Sequence, residues 1–367
     1  MPLQCGIVGL PNAGKSTLFS ALTQSRVQTD SYPFTTIDPN VGMVSVPDER
    51  LKKLSDILNP KKIIPTTLRI VDIAGLIKGS HQGEGLGNQF LAKIREVDAI
   101  LHLVRCFESG QVSHPSGELD PERDIGIVET ELILKDLETV TSRQESITKK
   151  AQSGHKESAA EMDILNEVAK TLENGKPARN LNLTEDENHY LKELFLISSK
   201  PVLYAGNISE SEATSHEDGP VTAKLKKWCK DQNEQVIIVS AALENELAFL
   251  SDEEEHQFFM EEWGLNKTGL ETLIPAAYNL LNLITFFTTE SNIVQAWTVK
   301  KGTAAPQAAG VIHTDFEKGF IKADAYSCDD LFRHGSEEAL RDKGLIHTHG
   351  KDYFIQDGAV VKFKFKT

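Results

Sequence analysis

The chain reads as an α/β protein: a doubly wound sheet interrupted by an inserted helical hairpin, followed by a smaller α+β domain. Three observations predict this. Short apolar runs bounded by turn residues alternate with helical patterns, the signature of a parallel sheet with crossover helices. After Arg105 that alternation stops and two narrow amphipathic seams follow. Near Asn282 the pattern turns to strands with one short helix among them, and the charge balance changes with it.

The first strand, Gln4–Gly9, runs into residues 9–17, Gly-Leu-Pro-Asn-Ala-Gly-Lys-Ser-Thr. This is the phosphate-binding loop GxxxxGK[ST] in its required setting, between a strand and a helix predicted over Lys15–Gln24. Gly9 and Gly14 let backbone N–H groups turn toward phosphates. Asn12, Ala13, Gly14, Lys15, Ser16 and Thr17 are therefore candidate nucleotide contacts, with Lys15 reaching the β- and γ-phosphates and Ser16 a candidate Mg²⁺ ligand. Asn12 reads equally as a turn-forming residue or as a ligand for a monovalent cation, K⁺, beside the phosphates.

Val41–Val46 reads as a short strand near an edge, in the connection before the strand Leu68–Asp72. Residues 32–36, Tyr-Pro-Phe-Thr-Thr, lie where NTPase switches supply a threonine to Mg²⁺, with Thr36 the first choice and Thr35 the second. Asp72 opens a DxxG pattern; it would act on Mg²⁺ through water, and the Gly75 amide would face the γ-phosphate. Gly79, Gly83, Gly85 and Gly87 suit a segment ordered by that phosphate. Leu76 follows the glycine, where a polar water-orienting residue often stands, and a leucine cannot orient water. His81 and His114 are the local substitutes.

A helix over Asn88–Val97 leads to the strand Ala99–Arg105. Ile133, Leu137, Val140 and Ile147, then Leu165, Val168 and Leu172 beyond a polar turn at 153–155, mark the two seams of the hairpin. A third helix, near Glu185–Leu196, returns to the strand Val202–Asn207. At that strand end a guanine-binding enzyme carries Asn-Lys-x-Asp; here the residues are Asn207, Ile208, Ser209 and Glu210. The aspartate would accept from guanine N1–H and the 2-amino group, neither of which adenine has, so its absence predicts a loss of guanine preference. Ser240 and Ala241, after the strand Val236–Ser240, are candidates for the loop bordering the base. In the C-terminal domain, Thr285–Thr289, Val294–Val299, Phe320–Tyr326 and Val360–Phe365 read as strands, Ala304–Ile312 as a helix, and Asp329–Lys343 as partly helical.

Net charge is −15, and all of the excess acid lies before Asn282, with 28 Lys/Arg against 43 Asp/Glu there and eleven of each after it. Such acidity excludes a general nucleic-acid coat and predicts no DNA partner, while leaving room for a basic C-terminal face at Lys300–Lys301 or Lys362, Lys364 and Lys366. No apolar run reaches the roughly 18–20 residues of a membrane span, and neither a signal peptide nor a membrane partner is expected. Cys5, Cys106, Cys229 and Cys328 are too scattered for a zinc site or disulfide frame and read as reduced thiols.

Residues 9–17, 32–40, 72–90 and 207–210, in this order, closely resemble the YchF-type, or Obg-like, ATPases, and the likeness spans essentially the whole chain. It implies an Obg-related P-loop NTPase domain over 1–281, with a helical insertion at about 124–196, and a C-terminal TGS domain of β-grasp fold over 282–367. It also implies Mg²⁺-dependent hydrolysis of ATP in preference to GTP, and a cytoplasmic, ribosome-associated role in translation or stress regulation. The family's water-positioning histidine falls on His114. Obg proper is less similar, since it carries a glycine-rich domain ahead of the phosphate loop and keeps the guanine-reading aspartate. Two alternatives remain: a GTPase of the Obg class, and an ATP-gated binding module whose hydrolysis is incidental.

Overall fold

The structure, a computed structural model, describes residues 3–24, 40–73, 86–108, 117–153, 155–250 and 252–366. Among these the strands are β1 (Gln4–Val8), β2 (Val41–Ser45), β3 (Lys62–Ile64), β4 (Thr67–Asp72), β5 (Ala99–Arg105), β6 (Val202–Asn207), β7 (Val236–Val239), β8 (Leu283–Thr288), β9 (Ile293–Lys300), β10 (Phe320–Ser327), β11 (His347–His349) and β12 (Ala359–Phe365). The chain divides into two compact units. Of the described residues, one gathers 3–24, 40–42 and those within 69–273; the other gathers 43–68 and those within 274–366.

The first unit is built on the sheet β2-β4-β1-β5-β6-β7. β1 pairs in parallel with β4 on one side and β5 on the other, and β5–β6 and β6–β7 are parallel too. Strand order therefore reverses direction at β1. In open α/β sheets ligands bind beyond the carboxyl ends of the strands at such a switch point, and here the phosphate loop leaves β1 at that end. β5 and β6 are buried along their whole length, as expected of strands covered on both faces. Ile100 and Val104 of β5 and Val202 and Tyr204 of β6 join Val8, Ile73, Ile94 and Val97 in one core.

The insertion is the hairpin the seams predict, with helices Pro121–Gln152 and Lys156–Glu173. Ile133, Val140, Ile147, Leu165, Val168 and Leu172 form a core of their own, and Leu137 packs against it. The long helix starts at Pro121, whose missing N–H is harmless there, with Asp120 accepting from the Arg123 N–H. Asp136 on this helix is fully buried and accepts from the N–H groups of Ile197 and Ser198 at 2.8 and 2.6 Å, which fastens the insertion to the chain returning toward β6.

The second unit carries the mixed sheet β11-β10-β12-β8-β9-β3. One face packs Phe286, Phe320, Val361 and Phe363 against Ala305, Ala308 and Ala309 of the helix Ala305–Ile312. The other packs Phe287, Val294 and Val360 against Leu51 and Leu54 of a helix, Glu49–Leu58, that the sequence reading does not single out. β3 is likewise unforeseen: three residues are too short for a periodic signal, yet they pair in parallel with β9 from Lys62↔Ile293 to Ile64↔Gln295. The stretch read as a plain connection before β4 is thus a working part of the second unit. Arg50 fastens it there, with Nε and Nη2 donating to Asp48 and Nη1 donating to Asp357 at 2.7 Å.

Candidate nucleotide site

The phosphate loop is shaped by contacts that leave no room for side chains at its two glycines. A Cβ on Gly9 would lie 2.4 Å from the Leu103 carbonyl oxygen, and one on Gly14 would lie 2.3 Å from Asn207 Nδ2. Gly14 and Asn12 both take positive φ, 95° and 64°. Asparagine tolerates that left-handed conformation better than most residues, which gives Asn12 a backbone reason to be where it is. Lys15, the first residue of the helix Lys15–Gln24, is buried, and its Nζ donates to the carbonyl oxygens of Gly9 and Leu10 at 3.1 and 2.8 Å. Burial lowers its pKa to about 8, against the opposing pull of Asp72. An ammonium held by neutral carbonyls in a curled loop is short of counter-charge, and a phosphate supplies it.

Ser16 is exposed, and its Oγ donates to Asp72 Oδ2 at 3.4 Å. Asp72 Oδ1 is buried with no hydrogen-bond partner among the described residues. Burial raises the Asp72 pKa, opposed by Lys15, the Ser16 hydroxyl and Lys93. A buried orphan carboxylate oxygen beside a serine hydroxyl is the oxygen donor set a hard divalent cation such as Mg²⁺ accepts. Thr35, Thr36, Gly75, Leu76, His81 and His114 lie outside the described residues.

A pocket of about 370 Å³ adjoins the loop, lined by Gly14, Thr17, Phe107, Glu108, Ala241, Ala242 and residues 207–211. The structure therefore brings together the predicted Gly14, Thr17, Asn207, Ile208, Glu210 and Ala241. Asn207 spends its side chain on the frame: Nδ2 donates to the Ala13 carbonyl, and Oδ1 accepts from the Ala241 N–H, both at 2.9 Å. It ties the phosphate loop to the loop after β7. Ile208 is almost fully buried and belongs to the core, so it presents only a sliver to the pocket. Glu210 starts the short helix Glu210–Ser215, and Ser209 caps it by accepting from the Glu212 N–H. Ser240 is buried, its hydroxyl has no partner among the described residues, and it is not among the lining residues.

Sequence reasoning misses Phe107 and Glu108. The available signal is an aromatic residue just past a fully buried strand that ends at the switch-point edge. Arg105 holds Phe107 in place, its guanidinium 4.7 Å from the ring centroid and its Nε donating to the Phe107 carbonyl at 3.1 Å. All four cysteines are free and buried, and burial pushes the Cys5 and Cys106 thiols up to about 12, so they are not nucleophiles. Among the described residues there is no His/Cys/Asp/Glu cluster able to hold a metal by itself, and no helix is long and apolar enough to cross a membrane.

Comparison with known proteins bears on the whole chain. A family model described as 50S ribosome-binding GTPase matches residues 4–147, and the YchF GTPase C-terminal model, described as a protein of unknown function, matches 283–366. The Bacillus subtilis protein named ribosome-binding ATPase YchF is 47% identical, with 100% of each chain covered. The Escherichia coli O157:H7 protein of the same name is 44% identical over 100% of this chain and 99% of its own. The solved structure of the Schizosaccharomyces pombe YchF GTPase superposes with a TM-score of 0.89 at 39% identity, covering 99% of this chain and 97% of that one. Identity at this level over the full length, together with the matching architecture, means that the chain belongs to the YchF family.

Proposed function

We propose that the chain is a nucleotide-dependent switch that binds and hydrolyses ATP in preference to GTP, associates with the ribosome and works in the cytoplasm. The names of its relatives differ on the nucleotide, ATPase for the bacterial proteins and GTPase for the yeast structure. The base pocket carries the choice. No aspartate stands at position 210, Glu210 is one methylene longer, and Ile208 sits in the core where a lysine would cover the base. A guanine would leave its N1–H and 2-amino group without the bidentate acceptor, whereas adenine asks for none.

Lys15 and the loop N–H groups hold the β- and γ-phosphates, and Ser16, Thr36 and Asp72 would hold Mg²⁺, which supplies charge neutralisation across the phosphates. The Gly75 N–H would face the γ-phosphate. Leu76 has no polar atom to offer the attacking water, so His114 positions it. Asn12 would serve K⁺ as a second cation. Ribosome contact is assigned to the open end of the second sheet. There Lys362 and Lys364 stand exposed on one face of β12, while Val361 and Phe363 turn into the core. Lys322 lies directly opposite Lys364, and Asp324 opposite Lys362. Two like charges in register disfavour the sheet itself and suit a phosphodiester backbone. Lys300, paired with Leu283, is at the other end of the sheet and outside this face.

One set of measurements tests this. ATP should bind more tightly than GTP in side-by-side titrations, and equal or tighter GTP binding overturns the specificity. His114→Ala should lower kcat with affinity unchanged, and turnover should be higher in potassium than in sodium for wild type but not for Asn12→Ala. Stimulation by ribosomes separates a switch enzyme from a module whose hydrolysis is incidental.

A further inference from the structure

Away from the nucleotide site, the helix Glu253–Glu262 breaks three local rules at once. Phe258 is 61% exposed in its middle, and Phe249, the last residue of the helix before it, is 62% exposed. Glu261 and Glu262 occupy the last turn, where the helix dipole favours cations, and that turn holds no basic residue. From Gln235 to Asn266 the sequence has eight Asp/Glu and no Lys or Arg. Choices that oppose local stability with little packing return mark a functional surface.

The geometry gathers these choices on one side. Glu254, Gln257, Phe258 and Glu261 follow the spacing of a single helix face and, with Asp252, line one open groove. Gln257 Nε2 donates to Glu261 Oε1 at 2.9 Å and holds that carboxylate beside the ring. The other side of the helix is already satisfied, with Met260 buried and Phe259 packed on Trp263 at 5.3 Å; Phe259 also meets the Phe258 ring edge to face at 5.7 Å, while Phe258 stays 61% exposed. What remains open is an aromatic ring bordered by carboxylates.

We propose that this face docks an arginine-rich protein segment. A guanidinium stacks on the Phe258 ring while Glu254 and Glu261 take its N–H groups, which uses the ring face and both charges at once. Charge complementarity selects this occupant. A nucleic acid is repelled by the carboxylates, and a purely apolar peptide would leave them desolvated and unpaired. Arginine is preferred over lysine because a planar, weakly hydrated cation stacks where a compact ammonium does not.

The test uses the full-length chain and a nona-arginine peptide at roughly physiological salt. Hydrogen exchange should slow over 252–263 on adding the peptide. Phe258→Ala should weaken peptide binding roughly two- to tenfold, as should the pair Glu254→Gln and Glu261→Gln. Phe258→Tyr should keep the affinity. Glu145→Gln with Glu157→Gln, exposed acids on the helical hairpin, controls for overall charge and should change little. A nona-lysine peptide should bind more weakly than the arginine peptide. The proposal falls if protection appears elsewhere or spreads evenly, or if Phe258→Ala binds as tightly as the control. It also falls if an RNA oligonucleotide protects the same helix, or if Phe258→Ala abolishes self-association of the chain while the peptide leaves the helix unprotected.

Discussion

Lys15 in the first unit and Arg50 in the second begin from the same problem, a cation taken largely out of water. Lys15 is met by carbonyl oxygens, and burial brings its pKa down to about 8. Arg50 also pays for its burial, but hydrogen bonds and charge from Asp48 and Asp357 outweigh that and hold its pKa above the ordinary value. Asp357 is itself used twice, accepting from the Thr285 N–H at 2.9 Å as well. The difference separates two kinds of buried charge. Arg50 is complete and holds a helix onto a sheet. Lys15 is incomplete, and so is Asp72 across from it, because the groups that finish them arrive with the nucleotide. Buried polarity left short of partners is expensive in a structural role and useful in a binding one.

This contrast can be broken by substitution. Lys15→Ala has the largest expected effect, a loss of about 2–5 kcal/mol in nucleotide affinity, the range for truncating one partner of a desolvated charge pair. Its unfolding midpoint in denaturant should stay near wild type or rise, since a poorly matched cation has been removed. A variant that loses stability instead would make Lys15 a structural residue and erase the distinction. Arg50→Ala should do the reverse. Breaking a fully buried pair costs about 3–5 kcal/mol, but Arg50 is 29% and Asp357 53% exposed, so solvent reduces this to roughly 1–2 kcal/mol. The loss should appear in unfolding experiments, with ATP titrations unchanged.

The pH dependence sharpens the same point with a smaller effect. The folded pKa of free Lys15, about 8, lies below the ordinary lysine value of 10.5. Between those values the unfolded chain holds the proton and the folded chain does not, so the Lys15 contribution to stability rises with pH across that window. Nucleotide binding has the opposite sign. It needs the ammonium, so affinity should fall as pH rises above about 8, by at most about tenfold per unit for one proton. Calorimetry in buffers of different ionisation enthalpy should register proton uptake there, and none in a Lys15→Met variant. Glu244 adds a second slope. Burial raises it from 4.5 to about 7, even though the Gly269 N–H donates to it at 2.5 Å. Its contribution to stability should therefore decline as pH rises from about 4.5 to 7, and Glu244→Gln should flatten that decline.

Local sequence was enough for the parts whose signal is local. The phosphate loop needs glycines, a lysine and a serine in consecutive positions, so residues 9–17 could be read directly, and the helix Lys15–Gln24 follows. Buried parallel strands are continuous apolar runs, which made β5 and β6 legible to the residue. The hairpin seams repeat over many turns, and the core they form contains the residues named from spacing. Tertiary structure alone decided whatever depends on partners distant in sequence. Lys62–Ile64 is a strand because β9 lies beside it, more than two hundred residues later. Asn207, read as a nucleotide contact, lines the pocket and also braces Ala13 and Ala241, a role that no property of Asn207 announces. Phe107 enters the pocket because the switch-point edge of β5 faces it. The glycine loop announces Lys15 as a phosphate ligand, but nothing near Arg50 announces Asp357, 307 residues later; that its own chain completes this cation was settled by distances of a few ångström, where burial and Coulomb attraction compete.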